Sequence, residues 1–371
     1  MTLIEQLDAS GLTGRGGAAF STGTKVRAAI ENRAALIVNA CDGEIGATKD
    51  AWVVENHLAD LVQGAKLIAP GRLGGIRYAA HRGSATASRL AAAGLEVLEV
   101  PHRYVSSEES ALISLASGQL ARPMTKRTPF VYGGRDVQGR QVAPTVVLNA
   151  ETVWRVAQIA DRGSAWFRSF GTPTEPGPRL VTIGGSVHSP GVFAAAAGIP
   201  LADLLRAAGA AGAEGAGGIP GPVWLGGLGG FFLTEAEAAG AIWSNAGLAA
   251  YGGSTGPGVI NVLAPDRCPL AQVSSLLSYA AGESAGQCGP CMFGLPAVSA
   301  QWAELIARPT SRAVDQFSAR VDLLIGRGAC RFPDGVAGMV RSALRVFGQH
   351  LAEHAAGNCP LEGKVAHAYL A

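Results

Sequence analysis

Gly14-Arg15-Gly16-Gly17-Ala18-Ala19-Phe20-Ser21-Thr22-Gly23-Thr24-Lys25 is the densest polar-glycine segment of the chain, and it leads into a short helical pattern and then the apolar run Ala35 to Ala40. Glycines let backbone N–H groups close on an anion, and a loop that opens into a helix adds the favourable end of its dipole. Arg15 and Lys25 can neutralise a phosphate there. Lys25 lacks the glycine spacing of a Walker loop, and the GxGxxG fingerprint is absent too. The segment therefore reads as a phosphate or cofactor cradle or, alternatively, as a plain glycine-rich surface loop. Around it, residues 1–177 alternate short apolar runs (Ala35 to Ala40, Thr145 to Leu148) with helix-like segments (Trp52 to Ile68, Glu109 to Ser117, Trp154 to Ile159). That is the βα pattern of a layered α/β domain.

The pattern changes twice further on. Residues 178–265 carry short β-branched runs (Leu180 to Ile183, Val259 to Val262), one helical stretch at Leu201 to Ala208, heavy Gly/Pro punctuation and a linker-like tract, Ala207 to Gly218. They predict a small mixed domain. Residues 266–371 are helical, with segments Pro269 to Ala281, Leu295 to Ile306, Ala313 to Ile325 and Asp334 to about Ala356, stopped by Gly282, Gly326, Gly328 and Gly357. Short connections predict an up-down-up-down four-helix bundle.

Composition removes several classes. Lys and Arg number 30 against 28 Asp and Glu, a formal charge of +2, so no excess argues for nucleic acid or an acidic membrane surface. The longest stretch free of Asp, Glu, Lys and Arg, Ala238 to Pro265, is broken by glycines, Pro257, Asn245, Ser254 and Asn261, and is not a membrane span. The opening residues place Glu5 early and lack a basic and an apolar signal region, so a cytoplasmic location is expected. In that reducing compartment the six cysteines are expected as buried thiols, metal ligands or redox groups rather than disulfides.

Cys288-Gly289-Pro290-Cys291 lies between the first and second bundle helices and Cys330 between the third and fourth, two connections at one end of such a bundle. Three thiolates converge there as metal ligands; a lone C-x-x-C also suits zinc or a redox pair, and the helical context counts against the latter. Cys268 and Cys359 fall at the opposite end, Cys359 on the order of 30 Å away unless the last helix ends early. His350 and His354, spaced i, i+4, read as a metal pair or as a solvated face.

Five ordered motifs carry a family resemblance: the glycine loop; Val38-Asn39-Ala40 with Glu44-Ile45-Gly46-Ala47-Thr48-Lys49-Asp50; Ser107-Glu108-Glu109-Ser110-Ala111-Leu112; Asn149-Ala150-Glu151-Thr152; and Glu283-Ser284-Ala285-Gly286-Gln287-Cys288-Gly289-Pro290-Cys291. Together they resemble the NADH-oxidising flavoprotein subunit of respiratory complex I, shared with NAD-dependent hydrogenases and formate dehydrogenases. Leu180 to Val187 with Pro190 to Phe193 resembles the soluble-ligand-binding β-grasp module of that family. The resemblance implies a Rossmann-like FMN domain, a β-grasp domain and a helical bundle with a four-iron, or alternatively three-iron, cluster. NADH or NADPH would be the substrate and a ferredoxin-like or other iron–sulfur subunit the partner, in the cytoplasm or peripheral on a membrane-bound redox complex.

Carried over by motif, Gly14, Arg15, Gly16, Gly17 and Lys25 would cradle the FMN phosphate and ribityl chain, with Asn39, Asn149, Glu108 and Glu109 as further flavin contacts. Phe20, Glu44, Glu108, Glu109, Lys126 and Phe130 would line the nicotinamide nucleotide site, as positioners, because hydride transfer needs orientation rather than an acid or base. Cys288, Cys291 and Cys330 would hold the cluster. The chain departs from the pattern at Cys41, in place of an acidic flavin contact, at the shortened Asp42, at Ser107 for glycine, at Leu148 for asparagine and at Ala285 for the first cluster cysteine. Bland alternatives stand beside these roles: Glu108-Glu109 as a helix start, Phe20 and Phe130 as core, Lys49-Asp50 as a surface ion pair. A non-catalytic docking scaffold with a degenerate flavin or cluster site is the rival reading.

Overall fold

The computed structural model describes residues 1–69, 75–126, 128–136, 138–210, 218–357 and 359; most of the linker-like tract, 211–217, lies outside them. Contacts divide the chain into two units, one of Met1–Gly43, Ala47–Val181 and Val192–Gly198, the other of Glu44–Gly46, Thr182–Gly191 and Ile199–Ala371. Most of the middle segment thus shares a unit with the bundle, while its residues 178–181 and 192–198 count with the first unit. Among the described residues no helix is long and apolar enough to cross a membrane.

The first unit is built on four parallel strands, β1 (Ala35–Asn39), β2 (Ile76–His81), β3 (Val97–Val100) and β4 (Thr145–Asn149), in the order β3-β2-β1-β4. A parallel sheet is covered on both faces, which explains its unbroken apolar strands. Leu36, Val38, Val146 and Leu148 point into one buried cluster, and Ile37 and Val147 into another. Helices α1 (Leu3–Ser10) and α2 (Thr22–Glu31) precede β1, and α3 (Lys49–Asn56) and α4 (Leu58–Ile68) follow it. The helical pattern Trp52 to Ile68 is therefore two helices. His57 leaves helical geometry (φ −136°) and lays its ring on Trp154, 4.3 Å between centroids at 18°, a tertiary contact that breaks the run. Helix α5 is Ala85–Ala92, α6 Glu109–Ala116 and α7 Ala150–Arg168, the last interrupted at Gly163 (φ +83°).

Lys49 and Asp50 form no surface pair; each is 2 % exposed. The Lys49 ammonium lies 2.7 Å from Asp50 and 3.3 Å from Glu151, the second residue of α7. Asp50 Oδ1 accepts the Glu151 N–H at 2.8 Å, and Glu151 Oε1 accepts the Leu180 N–H at 2.7 Å. Burial alone would raise the Glu151 carboxyl, but Lys49, Arg155, Arg15 and Arg179 hold it below the usual range. Lys49 is held protonated: burial opposes the charge, and Asp50 and Glu151 outweigh it.

A mixed five-stranded sheet follows along the chain. Strand β5 (Pro178–Gly185) turns into β6 (Gly191–Ala196), α8 (Leu201–Ala207) follows, and β7 (Val223–Leu225), β8 (Phe231–Leu233) and β9 (Val259–Val262) complete the order β8-β7-β9-β5-β6. Strand β9 runs parallel to β5 and antiparallel to β7. The bundle helices are α9 (Pro269–Gly282), α10 (Leu295–Ala307), α11 (Ser311–Asp322), α12 (Phe332–Val346) and α13 (Gly348–Ala355). The single last helix expected from Asp334 to Ala356 is two. Phe347 (φ −104°) drives its buried ring edge-on against Phe232, 5.1 Å between centroids, and Gly348 lets the chain restart. The edge strand β8 is satisfied by α12: the Phe232 N–H donates to Ser342 Oγ at 3.0 Å, and Arg345 donates to the Phe232 carbonyl at 3.0 Å.

Replacing Glu151 by Leu removes the one carboxylate whose field Lys49 and three buried arginines share, and removing one partner of a buried pair costs about 3–5 kcal/mol. Urea unfolding at neutral pH is expected to show that loss. Because the folded carboxyl is depressed, its contribution is present above the ordinary carboxylate pKa of about 4.3 and fades as pH falls through the lower folded value. A loss under about 1 kcal/mol at neutral pH would refute the account.

Candidate functional site

Strands β1 and β4 are neighbours in register, and Asn39 pairs with Asn149 at their carboxyl ends. The chain leaves β1 towards β2 on one side while β4 lies on the other, so the two amides sit at the switch point where open parallel sheets take ligands. The glycine loop is laid on one of them: a Cβ on Gly16 would collide with Asn149 Oδ1. Asn149 starts α7 yet spends no side-chain bond on capping it. The loop is a lasso, closed by Gly14 N–H to Phe20 O at 2.9 Å and by the bridge Thr13 to Ser21, and Ser21 Oγ then caps α2. Gly17 (φ +105°) and Ala19 (φ +48°) take left-handed conformations inside it, the second a strain tolerated where a turn must present its backbone.

Arg15 departs from its expected part. Its guanidinium is buried, donates to the Pro176 and Pro178 carbonyls at 3.3 Å each and lies 5.9 Å from the Phe167 ring centroid, while its N–H bonds Thr152 Oγ1 at 2.9 Å. Burial first, then Arg179, lowers its pKa to about 9. Arg15 therefore serves the loop through its backbone and leaves Lys25 as the loop's cation.

Asn39 Nδ2 donates to Ser107 O at 3.0 Å, and its Oδ1 accepts the Cys41 N–H at 3.1 Å. Cys41 is buried, and burial, Asp42 and Asp50 push its thiol up, so it stays protonated. Both Asp42 oxygens are taken by α3, from Asp50 N–H at 3.0 Å and Ala51 N–H at 2.7 Å; burial and Asp50 raise its carboxyl to about 7. It is a helix cap in left-handed geometry (φ +47°). Gly43 lies directly against Ser107, where any Cβ would collide with the serine side chain.

Glu108 caps α6, accepting Ser110 N–H at 2.8 Å and Ala111 N–H at 3.1 Å as well as the Ser110 hydroxyl, and burial raises its carboxyl. Its reading as a helix start is thus correct. Glu109 faces two cations, Lys126 at 2.7 Å and Lys25 at 3.5 Å; burial opposes its charge, but the lysines prevail and hold it below the usual range. Lys126 also lies 5.8 Å from the Phe130 ring centroid. The fold so brings together Lys25, Glu109, Lys126 and Phe130. Phe130 packs on the core, whereas Phe20 is 53 % exposed at the end of the lasso, available as a stacking platform. Glu44 falls within the second unit, its Oε1 accepting Ile45 N–H at 3.0 Å and Leu228 N–H at 2.8 Å.

In the second unit Cys291 is buried beside both Cys288 and Cys330 at the expected end of the bundle; burial, then the two neighbouring sulfurs, push its thiol to about 12. A crowd of sulfurs that resists ionisation is relieved by a bound cation, and three thiols are a soft donor set suited to iron or zinc. Ala285 gives its backbone N–H to Cys291. Cys268 and Cys359 are not part of this group: Cys268 precedes α9, whose 14 residues at 1.5 Å rise span about 20 Å. In the sequence these two cysteines and the pair His350/His354 read as separate features, although the spacing His-x3-His-x4-Cys is a ligand signal. The buried role of Lys49 and Asp50 had no such local signal.

A parallel sheet with a glycine lasso at its switch point, joined to a three-sulfur helical end, defines a nucleotide-cofactor and iron–sulfur protein. Two family models match in order, the Nuo51 FMN-binding domain over residues 7–158 and the NADH-ubiquinone oxidoreductase-F iron–sulfur binding region over residues 271–354. Among relatives, the second NADH-quinone oxidoreductase F subunit of Rhizobium meliloti (strain 1021) is 29 % identical over 388 residues, covering 95 % of this chain and 88 % of the relative. The NADH-quinone oxidoreductase F subunit of Mycobacterium bovis is 29 % identical over 385 residues, covering 95 % and 84 %. Among solved structures, an NAD+-reducing [NiFe]-hydrogenase in its air-oxidized state matches with TM-score 0.79 at 28 % identity, over 95 % of this chain. The chain spans 62 % of the hydrogenase chain it matches. The protein belongs to the family of FMN- and iron–sulfur-binding NADH oxidoreductase F subunits.

Lys25→Met and Lys126→Met are each expected to raise the Glu109 pKa, followed by carbon-13 NMR of labelled glutamate. An unchanged Glu109 in both variants would show that the triad does not form.

Proposed function

We propose that this chain binds FMN at the β1/β4 switch point, takes reducing equivalents from NADH or NADPH, and passes electrons through the Cys288/Cys291/Cys330 centre to an iron–sulfur partner subunit. The observation that carries the reading is the pairing of Asn39 with Asn149 under a glycine loop that Gly16 alone allows to close. Gly16 and Gly17 offer backbone N–H groups to a phosphate and Lys25 the countercharge, with the Gly14 N–H spent on closing the loop to Phe20 O; Asn39 and Asn149 offer amides to the flavin. FMN supplies the exchange of a two-electron hydride for single electrons. Phe20 offers an exposed ring for stacking, and Lys126 and Glu109 orient the nucleotide across the Lys25 end of the loop. No residue there has to move a proton. Cys41 and Asp42 add no free carboxylate, so flavin hydroxyls rely on amides and backbone.

The middle strands support a β-grasp reading, since a β5–β6 hairpin, a helix and a strand parallel to β5 follow in that order. Met292, Phe293, Leu323 and Ile325 are exposed on the connections that carry or adjoin the three sulfurs, which favours electron exit to a docked partner there. With Ala285 in place of a cysteine, the cluster is held by three sulfurs and a non-cysteine fourth ligand.

Anaerobically purified protein reconstituted with FMN is expected to lose its flavin absorbance on adding NADH or NADPH. If both leave the flavin oxidised, the dehydrogenase reading fails, and a colourless protein unable to take up FMN would favour a docking scaffold. Cys330→Ala is expected to lose iron and keep flavin. Loss of flavin with iron retained would overturn the placement of the cluster.

A further inference from the structure

At the end of the bundle away from the three sulfurs, four ligand-type side chains from two distant stretches of chain meet: Cys268 ahead of α9, His350 and His354 on α13, and Cys359 just after it. Their ligand atoms all lie within 4.8 Å of one another. Cys268 Sγ is 3.5 Å from His350 Nε2 and 3.3 Å from His354 Nε2, and Cys359 Sγ is 3.5 Å from His350 Nε2. A tetrahedral ion with bonds of about 2.3 Å to sulfur and 2.0–2.1 Å to nitrogen sets those atoms about 3.6 Å apart. We propose that Cys268, His350, His354 and Cys359 form a mononuclear zinc site, separate from the iron–sulfur centre, that fastens the start of the bundle to its end.

Ordinary hydrogen bonding does not account for the arrangement. One sulfur faces two imidazole nitrogens, and one of those nitrogens faces two sulfurs, while each thiol has a single proton to give. The outer contacts are those of a metal site. His350 Nδ1 lies 3.1 Å from Glu353 Oε2, so Nδ1 carries the proton and Nε2 turns its lone pair inward, the carboxylate–histidine pairing that orients zinc ligands. Cys268 Sγ accepts the backbone N–H groups of Leu270 and Ala271 at the first turn of α9, outer contacts of the kind that hold a ligand sulfur in place. The break at Phe347 sets the start of α13, which carries the two histidines.

The interleaving of S and N selects the metal. In a two-iron cluster with two cysteines and two histidines, the cysteines hold one iron and the histidines the other. Here Cys268 sits between both histidines, as on a single ion. Two sulfurs and two nitrogens in a tetrahedron suit zinc. On binding, each thiol gives its proton to solvent, and no electron is transferred. Engaged in this way, Cys268 and Cys359 are unavailable to the iron centre, whose fourth ligand must come from elsewhere.

The full chain, purified without added metal, is analysed for zinc and iron together and then for cobalt uptake. Wild type is expected to hold about one zinc per chain beside its iron. Cys268→Ser and His354→Ala lose the zinc and keep the iron, whereas Cys291→Ser does the reverse. His354→Cys, which retains a ligand, keeps zinc and guards against loss by unfolding, with far-UV circular dichroism as a check. Cobalt in the zinc-free wild type gives the intense visible bands of a tetrahedral thiolate site. Absence of zinc together with absence of those bands overturns the proposal. So does loss of iron rather than zinc in Cys268→Ser, which would assign the four residues to the cluster. Failure of NADH to bleach the flavin would refute the proposed function and leave the zinc stoichiometry standing.

Discussion

The buried ion network of Lys49, Asp50 and Glu151 is the constraint on which the first unit turns. It joins the first residues of α3, the first turn of α7 and the start of β5, three segments that must meet for the carboxyl ends of β1 and β4 to be framed. Desolvating such charges is expensive, and a single lysine could not offset it alone. Arg15, Arg155 and Arg179 add their fields to Glu151, so the loop that carries Arg15 is tied to the network electrostatically as well as by its Thr152 bond. The glycine loop is positioned from below by charge and held in shape by its own Gly14 to Phe20 bond and by Arg15 N–H on Thr152.

The sheet was legible because its strands are unbroken apolar runs. The runs Ala35 to Ala40 and Thr145 to Leu148 become strands Ala35–Asn39 and Thr145–Asn149, and the convergence of Cys288 and Cys291 with Cys330 followed from the order of the bundle connections. Two helix breaks were not legible, because their causes are rings from elsewhere in the chain: Trp154 under His57, and Phe232 against Phe347. Neither break needs a proline. The burial of Lys49-Asp50 was hidden for the same reason, since the partner that makes a buried pair tolerable, Glu151, lies 101 residues from Asp50.

Residues singled out by motif differ in how their positions are fixed. Asn39, Gly16 and Asn149 depend on backbone register, which the sheet fixes, and they stand together. Side-chain roles depend on local chemistry and shift more: Arg15 points inward, Asp42 and Glu108 serve as helix caps, and Glu44 bonds Leu228. Glu109 keeps an electrostatic role, because two lysines hold it ionised where burial would protonate it.

Gly43 and Ser107 share a space that admits one side chain. The pair therefore behaves as a single site with two spellings. With glycine in place of Ser107, position 43 would be relieved of that clash and could carry the side chain instead. Ser107 is thus compatible with the loop only while position 43 has no side chain, so the glycine there carries a steric duty set by a residue 64 positions further on.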